Sequence, residues 1–137
     1  MEEYKVIEKI YKTIERDGLM PTIKTLFGVG TSLQLPFTKT ACDTEIEHLD
    51  LSVRSYNCLK RAGIHTVRQV IDAMHGDKLW KIRNLGKNSR AEIHVIIYEF
   101  GYSLLTERGK KEFVKSLLKL NEDRYSEKDI ACRLLAQ

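Results

Sequence analysis

Apolar residues recur at helical spacing along this chain, and no segment alternates apolar and polar residues as a half-buried strand would. One such stripe consists of Ile7, Ile10, Tyr11 and Ile14. It predicts a helix over about residues 2–16, which Gly18 is expected to end. Pro21 is then expected to open a short second helix that reaches Phe27. The pattern predicts an all-α fold.

Helix start and stop signals are dense between residues 45 and 105. Ser52 is expected to cap a helix that Gly63 ends in the left-handed conformation. The inward side of this helix is predicted to carry Val53, Tyr56, Cys58 and Leu59. Thr66 and Gln69 have the spacing of a capping box and predict the start of the next helix. A compact bundle of short helices is the fold that this punctuation favours.

The same region ends with a short helix, a turn and a longer helix. The short helix is predicted to begin at Asp77 and to contain Leu79, Trp80 and Ile82. The run NLGKNS at residues 84–89 is typical of a tight turn with glycine at its centre. Ser89 and Glu92 match a second capping box and predict the start of the last helix, which Gly101 is expected to end. The buried stripe of that helix is predicted to be Ile93, Ile96, Ile97 and Phe100.

The segments outside this region are predicted to be a linker and additional helices. Residues 28–43 lack periodicity and collect Gly, Pro, Ser and Thr, which predicts a linker or an irregular surface segment. One helix is predicted over residues 107–120, and another begins at Ser126, with Asp129 as a weaker capping-box partner. The second of these is expected to bury Ile130, Ala131, Leu134 and Leu135. We therefore divide the chain into an N-terminal helical extension and linker (1–44), a central domain (45–105) and a C-terminal helical extension (106–137).

The apolar stripes of the outer helices have two interpretations. Residues 7–14 and 113–118 form either a core within one chain or the seam of a homodimer. The sequence slightly favours a homodimer through the terminal helices.

Charge is concentrated in one window of the sequence. The 137 residues carry a net charge of only +4, but residues 51–90 hold nine basic residues against Asp72 and Asp77, a net charge of +7. A local basic window in a nearly neutral protein is typical of an anion-binding face. The longest apolar runs are too short to span a membrane, and the first residues suit no signal or transit peptide. We expect a cytoplasmic, nucleoid-associated protein.

Metal and catalytic chemistry have little support in the sequence. The three cysteines are widely spaced, which favours reduced thiols, and the four histidines are scattered. A cluster formed by Cys42, Asp43, Glu45, Glu47 and His48 reads as a solvated linker. No nucleophile–base pair or pair of catalytic carboxylates can be assembled from the spacing. We expect no metal, no cofactor and no enzymatic activity.

Two local patterns carry candidate chemistry. On the helix after Ser52, Arg54, Asn57 and Arg61 fall at i, i+3 and i+7 and share one donor-rich face. In the turn at 84–89, glycine allows close approach of a ligand, and the helix that follows offers its N–H groups to a phosphate. Lys87 adds a charge there, and Asn88 and Ser89 add short donors.

Together these patterns resemble the C-terminal domain of the bacterial RNA polymerase alpha subunit. The blocks LSVRSYNCLKRAGI and NLGKNSRAEI are similar to the two most characteristic runs of that family, in the same order and spacing. The resemblance covers about residues 45–105. It implies a bundle of short helices with a helix-hairpin-helix-like element, extended here by helices at both ends. It also implies binding to the minor groove of A/T-rich DNA and contact with transcription activators.

The resemblance implies a role for each matching residue. Arg54 matches the arginine that enters the minor groove, and Asn57 matches its neighbour on the DNA backbone. The turn residues that match phosphate-binding positions are Asn84, Gly86 and Ser89. Glu92 matches an acidic position near the DNA face, where it could orient Arg54. A/T tracts narrow the minor groove and deepen its negative potential, which favours an inserted arginine.

The sequence departs from the family at three points. Asn88 replaces a lysine that is common after the turn glycine, which should weaken one phosphate contact. Tyr56 replaces a small residue and either alters packing or extends the DNA face. The first 44 residues are too few for the alpha N-terminal assembly domain, so we expect a protein that does not build the polymerase core.

Two functions remain open at this stage. The first is a stand-alone DNA-binding module linked to transcription, whose partner is A/T-rich duplex DNA. The alternative is a protein-interaction module that contacts RNA polymerase or a transcription regulator without binding DNA. Asn88 and the terminal helices favour the alternative, whereas the charge window and the two matching blocks favour DNA.

Overall fold

The segments with helical periodicity in the sequence form helices in the structure, and irregular segments separate them. A computed structural model describes residues 2–137, which contain eight α-helices and no β-strand, so the predicted all-α fold class is confirmed. The helices are α1 (Glu3–Asp17), α2 (Leu19–Phe27), α3 (Lys39–Asp43), α4 (Val53–Arg61), α5 (Val67–His75), α6 (Lys87–Ser103), α7 (Glu107–Leu120) and α8 (Glu127–Leu135). Two 3₁₀ turns lie at Ile46–His48 and Lys78–Lys81. No helix among residues 2–137 is long and apolar enough to cross a membrane.

The protein forms two structural units. Unit 1 joins the residues up to Pro36 with Leu105–Gln137, and unit 2 consists of Phe37–Leu104. Both terminal segments therefore belong to one unit, which the sequence pattern did not indicate. The domain boundaries proposed from the sequence, at 44/45 and 105/106, stay a prediction.

Unit 1 buries the apolar stripes of its own helices. Val6, Ile10 and Ile14 of α1 are buried, whereas the predicted Ile7 and Tyr11 are only half-buried. On α7 and α8 the buried side chains are Phe113, Val114, Leu117, Leu118, Ile130 and Ala131. Ser126 and Asp129 form the predicted capping box, but Leu135 is 68% exposed, so its predicted burial was wrong. Leu135 is the last residue of α8, where the helix has no further turn to cover it.

The segment between α2 and α4 is more structured than the predicted linker. Leu35 is buried, and Phe37 packs against the core of unit 2. The hydroxyl of Thr38 caps the short helix α3, which buries Ala41. Residues 28–38 are irregular, as the second of the two predictions for 28–43 has it, whereas 39–43 form the helix α3, which the sequence pattern did not predict. Single apolar side chains such as Leu35 and Phe37 give no periodic signal from which burial could be predicted.

The core of unit 2 is formed by side chains from three α-helices, α4, α5 and α6, and from the two 3₁₀ turns and the turn before α6. Its buried members are Ile46, Cys58, Leu59, Val67, Val70, Ala73, Leu79, Leu85, Ile93 and Ile97. The predicted capping box of Thr66 and Gln69 is present and opens α5. Backbone hydrogen bonds from Ile46 N–H to the His65 carbonyl (3.0 Å) and from Val67 N–H to the Thr44 carbonyl (2.9 Å) tie the start of the unit to α5.

Three local predictions in unit 2 were wrong. Val53 is 76% exposed, and the inward position belongs to Ser55, which stands three and four residues before Cys58 and Leu59 on one face. The short helix is a 3₁₀ turn that leaves Ile82 outside it. Gly101 does not end the last helix, because it is buried within α6, which continues to Ser103.

Candidate nucleic-acid interface

The outward face of α4 presents the predicted donor residues to solvent. The hydroxyl of Ser52 caps the helix by accepting a hydrogen bond from Ser55 N–H at 3.2 Å. Because Ser55, Cys58 and Leu59 point inward, the opposite face carries the exposed residues Arg54, Asn57 and Arg61. Within residues 2–137 these three side chains form no hydrogen bond or ion pair, so their donors are available to a ligand.

The turn before α6 obtains its shape from an asparagine. Asn84 has φ +65°, in the left-handed region that asparagine tolerates better than most residues. Gly86 has φ −77° and ψ 173°, an extended conformation open to any residue, so the expectation of a glycine at the centre of the turn was wrong. A Cβ atom at Gly86 would meet no atom within 4 Å. The absent side chain therefore leaves the backbone accessible without being needed for the fold.

The turn is attached to α4 and α6 by side-chain hydrogen bonds. The Cys58 thiol on α4 donates to the Asn84 carbonyl at 3.5 Å. From α6, the Arg90 guanidinium donates to the Leu85 carbonyl at 3.2 Å. Leu85 is itself buried in the core of unit 2. These contacts hold the backbone of the turn at Asn84 and Leu85 in a defined place beside α4, and the Asn84 side chain is exposed.

The start of α6 is open to an anion. The helix begins at Lys87 with Gly86 at the N-cap position, where it has no side-chain cap, and its first turn carries no acidic residue. Lys87 and Asn88 are exposed, and Ser89 is half-buried. The free N–H groups and the positive end of the helix dipole therefore face solvent beside a lysine, which is the arrangement that binds phosphate in proteins.

Glu92 connects α6 to the start of α4. Its carboxylate accepts hydrogen bonds from the Ser52 N–H (3.2 Å) and the Ser52 hydroxyl (2.9 Å). Hydrogen bonding by the hydroxyls of Ser55 and Ser52 lowers the pKa of the Glu92 carboxyl. The predicted capping box of Ser89 and Glu92 was wrong, because the N-cap of α6 is Gly86, three residues before Ser89, and Glu92 bonds across the unit instead. Its hydrogen bonds go to Ser52 and not to the Arg54 guanidinium.

Tyr56, the bulky substitution on α4, turns away from the donor face. It is half-buried, and its hydroxyl donates to the Glu47 carboxylate at 3.3 Å. Lys60 pairs with the same carboxylate at 3.1 Å. Of the two interpretations that the sequence left open, altered packing is therefore the one that this geometry favours.

An exposed tryptophan and an arginine near the turn were missed at the sequence level. Trp80 is 64% exposed, and the Arg90 guanidinium lies 3.7 Å from the centroid of its ring. Arg83 is exposed next to Asn84 and has no ion-pair partner among residues 2–137. A lone tryptophan within a basic stretch was the available signal, but the sequence pattern assigned Trp80 only to a short helix and indicated no functional role for it. Nothing in residues 2–137 groups three or more His, Cys, Asp or Glu side chains so that they could hold a metal ion.

Comparison with known proteins identifies the central segment. Residues 36–99 match the family model described as the C-terminal domain of the alpha chain of bacterial RNA polymerase. The DNA-directed RNA polymerase subunit alpha of Moorella thermoacetica is 55% identical over 62 residues, which are 45% of this chain and 20% of that protein. The same subunit of Malacoplasma penetrans is 43% identical over 89 residues, 65% of this chain and 26% of that protein.

The match is confined to a small part of these relatives. The chain spans about a fifth to a quarter of the length of the curated alpha subunits that it matches. No solved structure matches the sequence significantly. The matched segment contains both sequence blocks and every residue of the α4 face, the turn and the start of α6. Residues 36–99 are therefore similar to the C-terminal domains of bacterial RNA polymerase alpha subunits, the family that the two sequence blocks resemble.

Proposed function

We propose that this chain is a transcription-linked DNA-binding protein that contacts A/T-rich duplex through the minor groove and the phosphate backbone. The observation that carries the proposal is the pairing of two donor surfaces on one framework. Arg54 and Asn57 are exposed and unpaired on α4. The hydrogen bond from Cys58 of α4 to the Asn84 carbonyl joins this helix to the turn that leads into the uncapped start of α6. The family match at residues 36–99 also supports the prediction that the protein is not an enzyme.

Each part of the surface has a distinct task in this proposal. The Arg54 guanidinium enters the minor groove, where A/T-rich sequence narrows the groove and deepens its negative potential. Asn57 and Arg61 donate to the flanking phosphates. The N–H groups at Gly86 and Lys87, with the side chains of Asn84, Asn88 and Ser89, bind a phosphate of the backbone. The phosphate contacts set position, and the arginine supplies the preference for A/T.

The order of the framework contributes to affinity. Glu92 fixes Ser52 at the start of α4, and Cys58 fixes the turn, so both donor surfaces are in place before DNA arrives. Little side-chain and loop entropy then has to be lost on binding, apart from that of Arg54 itself. Asn88, which replaces a common lysine, removes one charge and lowers the salt dependence by about one unit of slope.

Fluorescence anisotropy with A/T-rich and G/C-rich duplexes at two salt concentrations tests the proposal. Wild-type protein is expected to prefer the A/T-rich duplex and to bind more weakly at high salt. Arg54→Ala should weaken A/T-rich binding about tenfold or more, because it removes the groove contact. Arg108→Ala, an exposed arginine of α7 in unit 1, removes the same charge elsewhere and should bind as the wild type does. Equal binding by Arg54→Ala and the wild type would contradict the proposal.

A second candidate function is contact with RNA polymerase or a transcription regulator. Trp80 favours it, because a largely exposed tryptophan held rigid by Arg90 is the kind of anchor that dominates protein interfaces. If this function holds, the wild-type protein binds polymerase and Trp80→Ala does not. DNA binding by Trp80→Ala at low salt should equal that of the wild type. A pull-down against purified polymerase, with Arg54→Ala as the matched variant, distinguishes the two surfaces.

The remaining expectations on partners and location belong to the same proposal. DNA binding and polymerase contact both imply a cytoplasmic, nucleoid-associated protein. The apolar stripes that left a homodimer open, residues 7–14 and 113–118, are mostly buried within unit 1, so a homodimer would need another surface. Size-exclusion chromatography with light scattering measures the oligomeric state directly.

A further inference from the structure

Unit 1 carries a second basic surface, on the outer side of α1. Lys5, Lys9, Lys12 and Arg16 stand at i, i+4, i+7 and i+11 and therefore line one face of the helix. All four are exposed. The face extends over about 16 Å along the helix axis, at 1.5 Å per residue. We call these four residues the α1 basic stripe.

The charges of α1 are segregated by sign. Glu8 and Glu15 lie on the flank towards α7, where they pair with Lys111 at 2.9 Å and Lys110 at 3.4 Å. The acidic flank is thus neutralised inside unit 1. On the α1 basic stripe, only Arg16 has an ion-pair partner, its neighbour Asp17, among residues 2–137. The side-chain ammonium groups of Lys9 and Lys12 form neither a hydrogen bond nor an ion pair within that range, although the Lys9 carbonyl accepts from the Thr13 hydroxyl.

A shallow depression continues the stripe towards α8. It is lined by Lys9, Lys12, Thr13, Arg16, Leu134 and Gln137, so three cations and no acidic side chain face it. A polyanion lying along α1 would therefore meet the ammonium groups of Lys9 and Lys12, which have no ion-pair partner among residues 2–137, whereas the Asp17 carboxylate offsets the charge of Arg16. The apolar side of the same helix is buried, with Val6 and Ile10 inaccessible to solvent. A membrane-surface helix needs that apolar side exposed, so a nucleic-acid backbone fits the stripe better.

From this segregation of charge we propose that the α1 basic stripe is a second DNA-contacting surface, which binds duplex phosphates without reading sequence. The inference rests on the proposed function of unit 2, because both surfaces would contribute to DNA binding by the same protein. Each lysine that neutralises a phosphate releases counterions and steepens the salt dependence of binding. Unit 1 would then add to the affinity and salt dependence that the phosphate contacts of unit 2 supply, and Arg54 in unit 2 would set the preference for A/T.

Salt titrations of the full-length protein on one A/T-rich duplex test this division of roles. The combined variant Lys5→Gln, Lys9→Gln and Lys12→Gln should lower the slope of log affinity against log salt by about two to three units and keep the A/T preference. The matched control replaces Lys24, Lys115 and Lys119, three exposed lysines elsewhere on unit 1, by glutamine. It removes the same charge and should leave the slope within about one unit of the wild-type value.

The outcomes separate this proposal from the one on unit 2. If Arg54→Ala removes the A/T preference and the stripe variant keeps the wild-type slope, the stripe proposal is overturned and the unit 2 proposal stands. If the stripe variant lowers the slope but Arg54→Ala changes nothing, the stripe proposal stands and the other fails. Equal loss in the control variant overturns the stripe proposal, and so does stripe-dependent binding to anionic phosphatidylserine vesicles with an unchanged DNA slope. Absence of duplex binding by the wild type at low salt overturns both.

Discussion

Glu92 shows how one side chain sets the geometry of the candidate interface. Its carboxylate takes both the N–H and the hydroxyl of Ser52, and it does so from α6, forty residues away in sequence. Ser52 in turn caps α4 two residues before Arg54. The position of the guanidinium therefore depends on a carboxylate that does not touch it.

Replacing Glu92 by alanine is expected to lower the free energy of unfolding by about 1 kcal/mol, because two hydrogen bonds to a charged acceptor are lost. Urea denaturation of the variant against the wild type measures this. Glu112→Ala, an exposed carboxylate on α7, is the control for the lost charge and should change the free energy of unfolding by no more than about 0.5 kcal/mol.

The stabilisation that Glu92 provides should also depend on pH. Since hydrogen bonding lowers the pKa of Glu92 in the folded state, its contribution is complete at neutral pH and is lost as acid protonates the folded carboxylate.

The pH dependence of the stability of Glu92→Gln, measured against that of the wild type, belongs to the same prediction. The amide cannot titrate, so the difference between this variant and the wild type should shrink as the pH falls below the usual range of glutamate. A difference that stays constant from neutral to acid pH would mean that the carboxylate does not hold Ser52.

At the scale of elements, the turn that precedes α6 uses one residue to set its backbone conformation and a different residue to keep its backbone accessible to a ligand. Asn84 supplies the left-handed residue, and Gly86 supplies an open backbone. A glycine can replace the first without strain, and an alanine can replace the second without a clash. The two substitutions therefore test binding without disturbing the fold.

Asn84→Gly and Gly86→Ala are both expected to keep the wild-type stability and to weaken DNA binding. The first removes a donor amide, and the second places a methyl group where a phosphate should approach the α6 N-terminus. Asn84→Ala is the contrasting variant, because alanine at φ +65° should cost about 1 kcal/mol of stability. Thermal denaturation and anisotropy on the same preparations separate the effects. Full DNA affinity in both Asn84→Gly and Gly86→Ala would exclude the turn from the interface.

At the scale of the whole molecule, unit 1 depends on contacts between distant parts of the sequence. Asn121 is buried at the end of α7, and its side chain accepts from Ser32 N–H at 2.9 Å. The same amide donates to the Ser32 carbonyl at 3.1 Å and to the Leu117 carbonyl at 2.8 Å. Arg133 of α8 donates to the Leu26 carbonyl at 2.6 Å. The N-terminal and C-terminal segments are therefore joined by direct hydrogen bonds within unit 1.

Asn121→Ala should destabilise unit 1 by about 1–3 kcal/mol, because the buried Asn121 side chain loses its three hydrogen bonds to the backbone of Ser32 and Leu117. Asn121→Asp keeps the acceptor for Ser32 N–H but loses both donated hydrogen bonds, so it should also destabilise. Hydrogen exchange of the full-length protein should locate the loss of protection in unit 1. An unchanged protection pattern in Asn121→Ala would contradict the role given to this amide.

Local signals in the sequence predicted much of the helical framework. Ser52, Thr66 and Ser126 were correctly placed as helix caps, because an N-cap is a property of three or four adjacent residues. The α4 donor face followed from the 3.6-residue period, and its membership was visible once Arg54, Asn57 and Arg61 were placed on one side. The family resemblance followed from two contiguous blocks within residues 36–99.

Tertiary contacts decided what local signals could not. Ser89 and Glu92 have the spacing of a capping box, yet Glu92 bonds to Ser52 because the packing of α6 on α4 offers a better-placed donor pair. The sequence placed Trp80 in a short helix without saying what it contacts, and the structure shows Arg90 stacked on it at the surface.

By itself, then, the sequence determined the all-α class, most helix starts and the donor residues of the candidate interface, since these depend on neighbours within one or two turns of helix. Only the tertiary structure decided that both termini form unit 1, that Asn84 and not Gly86 bends the turn, and which side chains join α4 to α6. Those outcomes depend on pairings between residues far apart in sequence, where packing and hydrogen-bond geometry select one partner among several that local patterns allow.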